Sequence, residues 1–289
     1  MVTSTDAAAR RGRAVRWGRG VVVAAAALLN LGWSAQTTRH VAWSAVDFFP
    51  PDLEDQVRRN HRRFDQGIQR GLDAPPAWRA GSPGRLEDAI QAQVTACVEG
   101  LRKPVPLDAL VEELGVLAAW VADANDPLAV AHDDAREAEY SAEYARYVTA
   151  AMGRMRLVHY GLDPDLVYRR DLDSAVVGML ARSRGLYPFV GAEFYRTGAL
   201  RSASSFDDRS LAFGVAAVAL SHALTDLSNL AAYIWHGGGG LVPKPVPTPT
   251  GHIGPTVTLA PLDGGFPDRQ RPDRGRPVMP PSTISLPPP

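Results

Sequence analysis

The chain has 289 residues, 45% of them hydrophobic, enough to bury one large core or two small ones, which excludes wholesale disorder. Its 31 basic residues balance 31 acidic ones, which excludes a generally basic nucleic-acid binder and leaves no strong nucleic-acid signal. A single cysteine, Cys97, excludes an intramolecular disulfide framework and a cysteine-built zinc cluster.

The first twenty residues carry Arg10, Arg11, Arg13, Arg16 and Arg19 against one acid, Asp6. An apolar run from Val21 to Leu31 follows, then Gly32-Trp33-Ser34-Ala35. A cationic leader, a short hydrophobic stretch and small residues beyond it form the pattern of a secretory signal peptide. The run is shorter than the ~20 residues that a bilayer span needs. Small side chains at Gly32 and Ser34 favour a cut after Ser34, so residues 1–34 read as the signal. The mature protein is then secreted, periplasmic or held in the cell envelope. Two other readings stay open: retention of the segment as an anchor, and an Ala-rich helix buried in a cytosolic protein.

Residues 35–236 read as one all-α domain, a bundle of about seven helices. Leu53, Val57, Phe64, Ile68 and Leu72 keep helical spacing with one slip, behind Pro50-Pro51. Ser82-Pro83 opens the next helix. Leu107, Leu110, Leu114, Leu117, Val121 and Ala124 form a single apolar stripe that stops before Pro127. A long helix is expected from about Ala135 to Tyr160, capped by Asp133 or Asp134, and another from Asp163-Pro164 to about Arg184. The last, roughly Asp208 to Trp235, is apolar on most of its surface and should lie centrally. No alternating strand and no Asn-Gly hairpin is evident. From Gly237 to Pro289 the chain turns Pro/Gly-rich and should form a disordered tail. Pro243, Pro245, Pro247 and Pro249 favour polyproline II, which suits a spacer or contact with a protein partner or membrane surface. A solvated tail without a specific partner is the plainer alternative.

Glu113 to Val130, ELGVLAAWVADANDPLAV, resembles the signature of zinc-dependent phospholipase C and the single-strand-specific zinc nucleases. The resemblance implies an all-α fold and a three-zinc site that activates water for phosphoric ester hydrolysis. Its motif is a helix with His-x-x-x-Asp, whose one-turn spacing puts both ligands on one face, then a Pro-Leu-His turn. Asp123 matches the aspartate and Pro127-Leu128 the turn. Ala119 and Ala129 stand where the two histidines would be. The family's mature chain begins with a Trp whose amino group and carbonyl bind zinc. Trp33 takes that place only if the cut follows Gly32, which puts the ill-suited Asn30 third from the bond. Thr38 occupies the next histidine position, and Asp73 corresponds to a further aspartate. The later pair of ligands falls in EAEYSAEYARY, which has no histidine.

His222 and Asp226, in SHALTDLSN, have His-x-x-x-Asp spacing on the final helix and, with Asp123 and Asp73, are the candidate metal ligands. Their plainer role is a His–Asp contact satisfying polar groups in a crowded interior. His132, Asp133, Asp134 and Glu137 form a polar cluster for which helix capping is the simpler account. The RRNHRR run, Arg58 to Arg63, reads as a solvated face with pairs such as Glu54 to Arg58. Cys97 lies in an apolar pattern and should be buried and inert. The expectation from the sequence is an exported all-α domain that resembles the zinc phospholipases, with a degenerate metal site and a binding or structural role, no cofactor being expected. The alternative is an active metal-dependent phosphodiesterase, with zinc in a rebuilt site and phospholipid or nucleic acid as substrate.

Overall fold

The computed structural model describes residues 33–73, 83–103 and 106–242. Most of the expected signal and of the Pro-rich tail lies outside the described residues. Among those described there are ten helices and no strand, an all-α fold as the periodicity predicts.

Most of the helices begin where the chain supplies donors' partners or a proline. Ser34 Oγ accepts from Thr37 N at 3.1 Å and caps α1 (Ala35–Val46). Pro51 opens α2 (Pro51–Arg59), and the slip in the spacing is a break at Asn60, whose Nδ2 donates to Gln56 O before α3 (His61–Asp73). After α4 (Pro83–Arg102), α5 (Leu107–Asn125) ends ahead of Pro127, where Asp126 caps the short α6 (Pro127–Val130).

Three boundaries differ from those expected. The helix anticipated over 135–160 is only α7 (Glu137–Ala151), followed by a 3₁₀ turn and an extended stretch. Its N-cap is Arg136, not an aspartate; Asp134 Oδ1 instead accepts from Arg136 N at 2.9 Å. The next expected helix is two, α8 (Pro164–Arg169) and α9 (Leu172–Phe194), because Arg170 adopts the left-handed conformation at φ 61°. There its guanidinium sits 4.3 Å from the centre of the Tyr233 ring. The final helix, α10 (Leu211–Gly237), starts on Ser210, which accepts from Phe213 N, and on buried Glu193, which accepts from Leu211 N at 3.0 Å.

α10 is central, packing on α1, α4, α5, α7, α8 and α9. By length and composition alone it could cross a membrane, yet Leu220, Leu224, Leu227 and Ala231 are buried in the core. α5 is the second centre, and its closest neighbour is α3. Gly67 faces Glu112 and Gly115, and Gly71 faces Val116 and Ala119, so the two helices run side by side in the same direction. Their backbones are almost in contact: a Cβ on Gly115 would lie 2.9 Å from Gly67 Cα. Glycine is required there because any side chain would enter the neighbouring helix.

Candidate functional site

The DAND stretch places Asp123, Asn125 and Asp126 inside the protein, at 3%, 1% and 1% exposure. The turn between α5 and α6 explains the composition: Asp126 N donates to Asp123 O, and Asp126 Oδ1 accepts from Leu128 N at 2.9 Å. The Asp126 carboxylate also accepts the backbone N–H of Trp33. Burial, with the negative fields of Asp123 and Glu137, pushes the Asp126 carboxyl up to about 8 despite those two hydrogen bonds. Tyr144, fully buried nearby, has its phenol pushed well above the usual range by burial and by Asp126, and its hydroxyl has no hydrogen-bond partner. Thr38, at the histidine position of the resemblance, is also fully buried, with an unpartnered hydroxyl.

His222 and Asp226 sit one turn apart on α10 but serve different neighbours. Both Asp226 oxygens accept from Arg182 of α9, at 2.7 and 2.9 Å, and Oδ2 accepts from Asn125 Nδ2 at 3.1 Å. Burial still raises the Asp226 carboxyl against the pull of Arg182. The His222 ring packs on Tyr160, centroids 5.2 Å apart; burial first, then the Arg182 charge, lowers its pKa to about 4. A neutral imidazole is a competent ligand, but the carboxylate beside it is held by a guanidinium. A cavity of about 40 Å³ lined by Asp163, Arg182, Asp226 and Asn229 has room for a water molecule.

The remaining polar residues of α10 carry out a task that the sequence did not suggest. Ser221 Oγ accepts from Val158 N at 3.1 Å, Thr225 Oγ1 from Tyr160 N at 3.0 Å, and Asn229 Oδ1 from Asp163 N at 3.0 Å. Asn229 Nδ2 donates back to Gly161 O, and Ser228 Oγ meets His159 Nε2 at 2.9 Å. Spacing of four along the helix puts Ser221, Thr225 and Asn229 in one row. That row holds the extended 155–163 segment by its backbone, which is why α7 does not continue to Tyr160. The alternation of burial in this segment leaves Val158 and Tyr160 exposed, and His159 stacks on Phe48 at 4.3 Å.

Asp73 ends α3 on the surface and accepts from Gln69 Nε2 at 2.7 Å, whereas Asp123 is buried. Ala119 is fully buried in the α3–α5 seam: a Cβ on Gly71 would lie 2.7 Å from the Ala119 Cβ. An imidazole at 119 would have to displace the α3 backbone. The polar cluster after α6 is a hydrogen-bonded knot: His132 Nδ1 lies 3.0 Å from Glu137 Oε1, Tyr187 Oη donates to Glu137 Oε2 at 2.6 Å, and Asp134 N donates to Tyr187 Oη at 2.8 Å. Arg58 pairs with Glu54 and Asp47, and Arg63 with Asp108 and Glu112. Cys97 is buried, its thiol pushed up to about 12 by burial. Among the described residues no group of three or more His, Cys, Asp or Glu is disposed to hold a metal ion. Among the described residues the candidate donors do not fit a zinc cluster, since Asp226 is engaged by Arg182 and Asp73 is apart on the surface. No protein-family model matches the chain, and no curated protein matches it either.

Proposed function

We propose that the chain is an exported all-α domain on a frame similar to zinc-dependent phospholipase C, with a binding or structural role in place of zinc hydrolysis. The observation that carries this reading is Ala119, which faces the Gly71 backbone where the resemblance calls for a ligand. A histidine lost from an open pocket leaves space; here the position is closed by a neighbouring helix. Asp226 supports the same reading, because its carboxylate already accepts from Arg182 on both oxygens and from Asn125 on Oδ2, and a metal would have to compete with that guanidinium. Outside the cytoplasm the domain would present its surface, including the Phe48–His159 and Tyr160–His222 aromatic pairs, with the Pro-rich tail reaching a protein partner or a membrane surface.

The test is turnover of a chromogenic phosphodiester by the full chain, with added zinc and with chelator. The rate should equal the zinc-containing buffer alone. Chelator-sensitive hydrolysis that disappears in Asp123→Ala would establish the alternative, an active metal-dependent phosphodiesterase.

A further inference from the structure

Residues 155–160 form an extended strap after the 3₁₀ turn that follows α7, with Met155 at φ −81° and ψ 122°. An extended chain turns the N–H and C=O groups of alternate residues to opposite edges. One edge of the strap is taken by α10. Val158 N donates to Ser221 Oγ, Val158 O accepts from Thr225 Oγ1 at 3.4 Å, and Tyr160 N donates to Thr225 Oγ1. The other edge therefore carries the N–H and C=O of Leu157 and His159, which have no hydrogen-bond partner among the described residues. This edge ends at Gly161, whose φ of 100° turns its carbonyl back to Asn229 on α10. No residue from 156 to 160 is buried, so the unpaired edge runs along the surface.

An unpaired strand edge is a template for another strand, and the side chains beside it decide which strand fits. Arg156, Val158 and Tyr160 share one face by their alternate spacing, and all are exposed, Val158 by 49% and Tyr160 by 55% although its ring rests on His222. Arg154 is paired with Asp208, whereas Arg156 has no ion pair among the described residues. The face thus runs from a cation through an aliphatic group to an aromatic ring. Its complement is the same order reversed, with aromatic against cation and aliphatic against aliphatic. A second strap of this chain, running antiparallel, has that order.

We propose that two copies of the chain associate by antiparallel pairing of their straps about a two-fold axis at Val158. Leu157 of each copy then faces His159 of the other, and each such pair exchanges both of its N–H···O=C bonds. Val158 meets Val158 of the second copy on the axis, and Arg156 lies against the Tyr160 ring to either side of it. These are non-hydrogen-bonded positions, where opposing side chains come closest. Phe48 steadies the strap by stacking on His159 at 4.3 Å. Because pairing consumes the one free edge of each strap, the assembly closes as a dimer and does not grow into a ribbon. The inference depends neither on export nor on the state of the metal site.

Sedimentation velocity of the full chain tests it. At about 100 µM, a concentration that populates a weak interface, the chain should run as a dimer and return to monomer on about hundredfold dilution. Leu157→Pro removes an N–H that the monomer leaves unused, and Val158→Asp sets like charges face to face on the axis. Each should give a monomer that melts within about 2 °C of the parent. Register is read by cross-linking: Val158→Cys should join two copies on mild oxidation with diamide, whereas Val177→Cys, equally exposed on α9, should not. Cys97 is buried and takes no part. The cross-linking comparison decides the matter even if Leu157→Pro fails to fold. A chain that stays monomeric at about 100 µM overturns the second copy as occupant, whatever foreign segment the edge then accepts. A dimer indifferent to Leu157→Pro and Val158→Asp, or one that cross-links as fast through Val177→Cys, overturns the strap as its interface.

Discussion

The α3–α5 seam and the polar interior between α5 and α10 are both buried, yet they are built on opposite principles. The seam has no room: Gly67, Gly71, Gly115 and Ala119 are small because the two backbones almost touch. The polar interior is rich in donors and acceptors; of the candidate ligands Asp226 is occupied there by a structural task, as are several of its polar neighbours. Asp126 caps α6, Asp226 holds Arg182, and Ser221, Thr225 and Asn229 hold a strap. The comparison teaches that a buried carboxylate or hydroxyl marks a site only after its hydrogen bonds have been counted.

The largest effects should fall in the seam. Gly115→Val drives a branched side chain into Phe64 O and Gly67, and should cost more than about 4 kcal/mol, read as loss of cooperative unfolding. Ala119→His, which restores the residue type of the resemblance, should cost about 3 kcal/mol without conferring zinc binding. Melting and metal content of that one variant break or sharpen the contrast: a stable, zinc-binding Ala119→His chain would show the seam to be an open pocket.

Changes in the polar interior should be smaller. Arg182→Ala leaves Asp226 buried beside Asn125 alone; with Arg182 itself partly exposed, the cost should be about 1–3 kcal/mol in denaturant unfolding. Asp226→Asn in the same chain should recover part of it. Asn229→Ala should cost about 1 kcal/mol, and hydrogen exchange of the Asp163 amide should accelerate while exchange in α5 is unchanged. An effect of similar size is that of pH on His222. Its folded pKa lies near 4, below the value of about 6.5 in an unfolded chain, so the unfolded state binds more protons between those values. Stability should therefore be complete above pH 6.5 and decline as pH falls toward 4, by about 1 kcal/mol after solvent screening. His222→Gln should flatten that part of the profile.

Much of the architecture is legible in the chain because it is local. The stripe from Leu107 to Ala124 and the stop at Pro127 are periodicity and proline chemistry, and the apolar final helix is central, as its composition requires. What is not legible depends on distant partners. Nothing near residue 152 announces that α7 gives way to an extended strap, since the reason sits on α10 at Ser221, Thr225 and Asn229. The i, i+4 polar spacing there signals a row of side chains but not their partner, and His222–Asp226 is the same spacing read as chemistry. Gly67, Gly71 and Gly115 were a further readable sign: small residues four apart on one helix, and another at the facing position, announce a close backbone approach. Arg182, the residue that decides the role of Asp226, has no motif of its own.

The central claim is that the buried acids of this domain hold its own backbone and arginines together instead of zinc. Metal analysis of the purified full-length chain, paired with melting before and after chelation, tests it most directly. The account predicts less than about 0.1 zinc per chain and an unchanged melting temperature. Two or three tightly held zinc ions, with a melting temperature that falls on chelation, would contradict it.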